Sequence, residues 1–315
     1  MGQILRVKQE GSMSDVFSAP RPRAETAAFA LSALAAVFWG SNFEATRVVL
    51  QEMPPWTAAA GRFLIAALAI LGWLWIAEGS GLPALRRNWK VFLGLGVVGV
   101  AGFNAALFLG MRSSSPVTAA LIMGTSPLTT TLIEAALTRR WPKAGTLAGM
   151  AISLVGVALT VGAFSGARLA PGDGLILLGS LAWALYTVGC RRWVVAASPL
   201  ETSVWTMLAG ALALLGAAFA FETPVASVLA ASPAAWGATL WMALAGSVLA
   251  YLFWQVGIQI RGPGATSVLF NLVPVSALAI AALFGRTPGL SQLAGVALAI
   301  LGVLLASGRL TVPRR

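Results

Sequence analysis

Residues 290–308 read LSQLAGVALAILGVLLASG, and residues 145–163 read GTLAGMAISLVGVALTVGA. Each is an uncharged apolar run that, at about 1.5 Å per helical residue, nearly spans a hydrocarbon layer roughly 30 Å thick. The two runs also share a pattern. Leu147-Ala148-Gly149, Gly156 and Gly162 recur as Leu293-Ala294-Gly295, Gly302 and Gly308, an offset of 146. Gly149 and Gly156 share one helix face, as do Gly295 and Gly302. Those faces are expected either to pack the fifth and tenth spans together or to support a dimer.

Working outward, apolar runs bounded by polar, Pro or Gly punctuation fall near 27–49, 56–77, 91–111, 116–138, 145–163, 174–190, 199–220, 236–259, 264–284 and 290–308. The expected fold is all-α and integral to the membrane, with ten transmembrane helices. Composition agrees: 58% of residues are hydrophobic and 10% charged, and mean hydropathy is +0.85. No water-soluble core hides that much apolar surface. Residues 1–25 lack the short apolar core and cleavage site of a secretory signal, so the first span is expected to stay as an anchor.

The net charge of +11 does not point to nucleic acid, because the basic residues sit in short clusters between apolar runs. Arg86, Arg87, Lys90, Arg139, Arg140, Lys143, Arg191, Arg192 and Arg261 fall on one side, against Arg47, Arg112, Arg168 and Arg286 on the other. That bias places both termini in the cytoplasm of a bacterial-type inner membrane. Histidine is absent and Cys190 is the single cysteine. No metal or other cofactor is expected, and the commonest general base is missing. There is also no G-x-x-x-x-G-K-[ST] segment for binding ATP.

The repeat extends beyond the quoted runs. Trp39 and Pro55 recur as Trp183 and Pro199 at an offset of 144, and Pro116 and Pro127 as Pro263 and Pro274 at 147. The expected organisation is a tail (1–25), a five-helix unit (26–163), a second five-helix unit (174–308) and a tail (309–315). Five is odd, so the second unit enters the membrane inverted. Inverted repeats suit alternating access, in which one opens inward as the other opens outward. A transporter is therefore expected rather than an enzyme.

Particular residues carry a resemblance to a known family. Trp39-Gly40-Ser41-Asn42-Phe43, Pro55, Arg62-Phe63 and Ser126-Pro127 in the first half, with Leu181-Ala182-Trp183-Ala184-Leu185-Tyr186-Thr187 and Arg191-Arg192 in the second, resemble the EamA-type transporters of the drug/metabolite transporter superfamily. The resemblance covers residues 28–308. It implies two inverted five-helix repeats around a central cavity lined by spans 1, 3, 4, 6, 8 and 9, and export of amino acids or related metabolites.

Candidate site residues follow. Pro127 and Pro274 fall in corresponding spans, where each removes a backbone donor; they either flank the cavity or merely kink the helix. Asn42, Asn104, Tyr186, Gln255 and Asn271 are polar within apolar spans, suited to hold a small-molecule substrate or to bond neighbouring helices. Trp39, Trp183 and Trp254, with Phe103 and Tyr251, lie deep enough to form apolar walls or simply to pack the core. Glu44 and Arg62 are expected to pair across spans 1 and 2, or Glu44 to exchange a proton. Glu44 is also the carboxylate that efflux of a drug or quaternary cation would require. Gly94-Leu95-Gly96-Val97-Val98-Gly99 matches a dinucleotide motif, but no strand precedes it, so its glycines point to close helix packing. The expected partners are the substrate and the lipid bilayer, with the chain a monomer or homodimer.

Overall fold

The computed structural model describes residues 22–110, 113–114, 122–160, 163–165, 170–283, 285 and 288–307. The readings on Arg112, Pro116, Gly162, Arg168, Arg286, Gly308 and both tails up to residue 21 and from residue 309 lie outside them. The described chain is helical, with no strand: α1 (Pro22–Val49), α2 (Pro55–Ala77), α3 (Leu82–Gly110), α4 (Ser126–Thr138), α5 (Ala144–Thr160), α6 (Gly172–Arg192), α7 (Pro199–Phe221) and α8 (Pro233–Arg261). Helix α9 runs as Pro263–Ser267, a 3₁₀ turn Val268–Asn271 and Leu272–Leu283, and α10 as Leu290–Ala306. Among the described residues, α1, α2, α3, α6, α7, α8 and α9 are long and apolar enough to cross a membrane, while α5 and α10 are shorter apolar helices.

Helix α3 begins at Leu82 rather than near residue 91. Its first turns are amphipathic: Ala84, Asn88, Phe92 and Leu95 are buried, while Arg86, Arg87 and Lys90 are exposed. With the exposed Arg140, Arg191 and Arg192 they form the basic end of the molecule.

Helices α2, α3, α4, α7, α8 and α9 each carry proline in their first turn, where no intrahelical amide bond is lost. Four of them also meet a carboxylate from another element. Glu222 accepts from the amides of Trp56 (3.0 Å) and Thr57 (2.7 Å) at the start of α2. Glu78 accepts from the Ser198 hydroxyl (2.6 Å) at the start of α7, Glu52 from the Ser232 amide (2.6 Å) and hydroxyl (2.7 Å) at α8, and Glu134 from the Gly264 amide (2.6 Å) at α9. Negative charge is favoured at helix N-termini, and otherwise orphaned amides are satisfied. Glu78 and Glu222 stand 144 apart, as do Pro55 and Pro199, so α2 and α7 cap each other reciprocally at opposite ends. Burial raises the Glu78 carboxyl above its ordinary range; the Ser198 hydroxyl opposes the shift and Glu201 adds to it.

The most extensive seam joins α5 to α10. Gly149 lies against the Ala306 backbone, Gly156 against Ala299, Gly295 against Thr160 and Gly302 against Ser153. Of the two roles open to these glycine faces, packing within the chain is the one observed. A Cβ on Gly156 would sit 2.2 Å from the Ala299 nitrogen, so Gly156→Ala should destabilise the fold by about 1–3 kcal/mol. Gly145→Ala, with nothing within 4 Å, should be neutral or slightly stabilising; thermal unfolding in detergent compares the two.

The Ser232 hydroxyl and amide hold the Glu52 carboxyl below its ordinary value of 4.5. A depressed folded value adds stability above the unfolded value and loses it as pH falls through the folded one. Wild type should therefore melt above Glu52→Gln at neutral pH, and their melting temperatures should converge in strongly acidic buffer.

Candidate functional site

Helix α1 supplies Trp39, α6 supplies Trp183, α8 supplies Tyr251 and Trp254, and the 3₁₀ turn of α9 supplies Phe270. The Trp39 ring lies 5.3 Å from Trp183, 6.0 Å from Tyr251, 5.1 Å from Trp254 and 5.6 Å from Phe270. Trp183 also meets Phe103 at 5.4 Å and stacks on Tyr186 at 5.3 Å, and Phe63 reaches Tyr251 at 6.0 Å. Edge-on and offset rings attract one another beyond their buried area. An aromatic box thus fills the centre, and of the two roles open to these rings, packing on one another is the one this form displays. Beside it, a space of about 10 Å³ is lined by Thr46, Arg62, Phe108 and Met242 among others, room for about one water. A cavity of about 740 Å³ opens at the basic end, lined in part by Thr131, Glu134, Arg140, Thr146, Arg191 and Arg192.

Two π-helical turns frame the box, Gly96–Gly102 in α3 and Leu244–Leu249 in α8. The sequence reading took the glycines of the first for close packing, and they do pack closely: Gly96 against Thr206 and Gly210 of α7, and Gly99 against Tyr186. Gly246 of the second turn lies flush against the Asn42 carboxamide. The widened turns themselves have no signature in the residues. In a π turn the regular ladder is broken, leaving backbone groups to bond elsewhere. The Gly246 carbonyl accepts from the Trp39 indole (3.0 Å) and from Arg62 Nη2 (3.1 Å), while Arg62 Nε donates to the Ser247 hydroxyl (2.9 Å).

The expected Glu44–Arg62 pair is therefore not formed. Glu44 Oε2 lies 3.2 Å from Arg47 Nε, one turn along the same helix, and the guanidinium of Arg62 turns to the opened backbone of α8.

On the other side of the box, the Gln255 amide donates to the Tyr186 hydroxyl (2.8 Å) and the Cys190 sulfur (3.2 Å), and Tyr186 shares a hydrogen bond with Thr206 (3.2 Å). The Trp254 indole donates to Thr187 at 3.4 Å. Asn104 donates to the Val100 carbonyl of its own helix (2.7 Å) and lies beside the Tyr251 hydroxyl. Asn271 stands apart: it donates to Ser153 (3.0 Å), whose hydroxyl bonds Ala299 across the α5–α10 seam. Asn42 Oδ1, Gln255 Oε1 and Asn271 Oδ1 are buried without a hydrogen-bond partner among the described residues. So are the hydroxyls of Ser126 and Thr130 on α4.

Pro127 and Pro274 coincide with interruptions. A turn at Thr125 precedes the helix containing Pro127, and the 3₁₀ turn Val268–Asn271 ends just before the segment containing Pro274. Proline cannot bond the carbonyl four residues back and its ring crowds it; in α9 that carbonyl belongs to Phe270. Phe63, Phe270, Ser247 and Thr206 were missed as site residues. Phe63 had a signal in its place beside Arg62, and Phe270 in its distance of one turn from Pro274.

Long apolar helices gathered on a shared aromatic centre define a multi-pass membrane protein. The EamA-like transporter family matches residues 26–162 and again 170–308, and the chain belongs to that family. YyaM, an uncharacterized transporter of Bacillus subtilis, is 36% identical over 283 residues, covering 88% of this chain and 92% of its own. A Streptantibioticus cattleyicolor protein described as a probable terminal-alkyne amino-acid exporter is 26% identical over 285 residues, 90% of this chain and 93% of its own. The uncharacterized inner membrane transporter YedA of Escherichia coli is 28% identical over 275 residues, 85% of each chain. One crystal structure aligns with a TM-score of 0.77 over 90% of this chain and 97% of its own, at 22% identity, a likeness of fold alone.

A Cβ on Gly99 would lie 2.3 Å from Tyr186 Cβ, which cannot swing aside, whereas one on Gly246 would meet the movable tip of Asn42. Gly99→Ala should therefore lower stability by about 1–3 kcal/mol and Gly246→Ala by less. Melting temperatures of the two purified variants test this ordering.

Proposed function

We propose that the chain is a secondary transporter that exports an amino acid or similar small metabolite across the bacterial inner membrane, as a facilitator or a proton antiporter. In this reading ten spans form two inverted repeats, the termini lie in the cytoplasm, and the basic end faces inward. The observation that carries it is the aromatic box bordered by the Asn42 and Gln255 oxygens, which are buried without hydrogen-bond partners among the described residues. A buried polar atom left unpaired is costly, and a ligand that visits the site supplies what the helices withhold.

The cavity of about 740 Å³ at the basic end serves as the inward vestibule, and the box as the barrier beyond it. Opening requires the rings to part, with α4 and α9 bending at the breaks beside Pro127 and Pro274. Asn42, Asn104, Tyr186 and Gln255 orient the polar head of the cargo, and Trp39, Trp183, Trp254, Phe103 and Tyr251 hold its apolar part; Asn271 steadies α9 against the α5–α10 seam. The name of the Streptantibioticus relative supports an amino-acid cargo. Export of a quaternary cation is the second reading, favoured by the ring cluster, since cations bind aromatic faces. It needs Glu44 for charge balance, and Glu44 is engaged with Arg47.

The test is uptake and counterflow of radiolabelled Thr, Met, Phe and Trp in liposomes carrying the purified protein, with and without a pH gradient. Saturable transport that falls about tenfold or more in Asn42→Ala and Tyr186→Ala is expected. Failure of all four to move in a well-folded preparation removes the amino-acid assignment. Cation efflux abolished by Glu44→Gln would install the second reading in its place.

A further inference from the structure

Arg62 is the feature that the packing leaves incomplete. Its guanidinium sits within the helix bundle, over the Phe63 ring at 4.8 Å, and both of its hydrogen bonds go to neutral acceptors, Ser247 Oγ and the Gly246 carbonyl. No carboxylate lies within 4 Å of it among the described residues, and the neighbouring Glu44 is paired with Arg47. A full positive charge held among apolar helices without a counter-charge is expensive, and such residues mark paths for ions or substrates.

The bonds it does make fix its orientation. Of the five N–H groups of a guanidinium, one on Nε and one on Nη2 are engaged, and Nη1 makes no hydrogen bond to the described residues. The edge formed by Nη1 and Nη2 remains, the fork that takes a carboxylate through two parallel bonds. The fork is also tied to the box, since Trp39 and Arg62 donate to the same oxygen of Gly246. The adjoining space of about 10 Å³, lined by Thr46, Phe108 and Met242 among others, is too small for an anion larger than water in this closed form. Room for one must appear as the rings part.

We propose that Arg62 binds the carboxylate of the transported molecule, so that the cargo is a small organic acid or zwitterion whose remaining part lies against the aromatic box. This rests on the transport reading above and narrows its substrate class. The Ser247 hydroxyl and the π turn of α8 act as the mount that aims the guanidinium.

The test takes the amino acid that the wild-type protein moves fastest in liposomes and competes it with its own decarboxylated amine and its own deaminated acid. The acid should inhibit and the amine should be at least tenfold weaker. In Arg62→Gln the KM should rise about tenfold to a hundredfold, the range for one lost charge-assisted pair, and Arg62→Lys should recover part of it. If the amine competes as well as the acid, or Arg62→Gln keeps the wild-type KM, the assignment to Arg62 fails while transport stands. If wild type moves no amino acid, the amino-acid assignment fails and takes the proposal with it. Should Arg62→Gln not fold, the competition by amine and acid on the wild-type protein decides alone.

Discussion

Backbone amides and carbonyls in a bilayer interior have no water to turn to, so every interruption of a helix has to be met by another part of the protein. The architecture follows from where those interruptions fall. The opened turn of α8 presents the Gly246 carbonyl, and Trp39 and Arg62 from two other helices converge on it. The first turns of α2, α7, α8 and α9 present amides or a capping hydroxyl, and glutamates from elsewhere in the chain meet them. Even the box depends on this rule, because Phe270 reaches it from a 3₁₀ turn that the Pro274 ring helps to impose.

The repeat equates Trp39 with Trp183 and Asn42 with Tyr186 at an offset of 144, and Gly99 with Gly246 and Asn104 with Tyr251 at 147. Equated residues meet at the centre: the two tryptophan rings touch, and Asn104 lies beside the Tyr251 hydroxyl. The scaffold is shared while the chemistry differs. Gly246 faces a carboxamide where Gly99 faces a phenol, and Arg62 stands where the other half has Thr206. One side of the box is thereby cationic and the other neutral, which gives the site a direction that the duplicated backbone lacks.

Much of the fold was legible in the residues because membrane helices declare themselves by length and apolarity, and because glycines at 149, 156, 295 and 302 have few uses other than close packing. The gathering of Trp39, Trp183, Tyr251 and Trp254 was legible as well, since each lies deep in a span. Two things were not. Whether aromatic walls stand apart or close on one another depends on helix separation of a few ångströms, which no residue pattern encodes. The partner of Arg62 was misassigned because sequence neighbours offered a carboxylate at similar depth, whereas the acceptor is a main-chain oxygen freed by a turn type that leaves no mark on composition.

The reciprocal caps of α2 and α7 have a mechanical consequence. Each helix is fastened to the other at both ends, by Glu222 at one and Glu78 at the other, so neither can slide or tilt alone. The pair behaves as a keel running the depth of the molecule. The wide turns of α3 and α8 and the breaks in α4 and α9 all lie outside that braced pair.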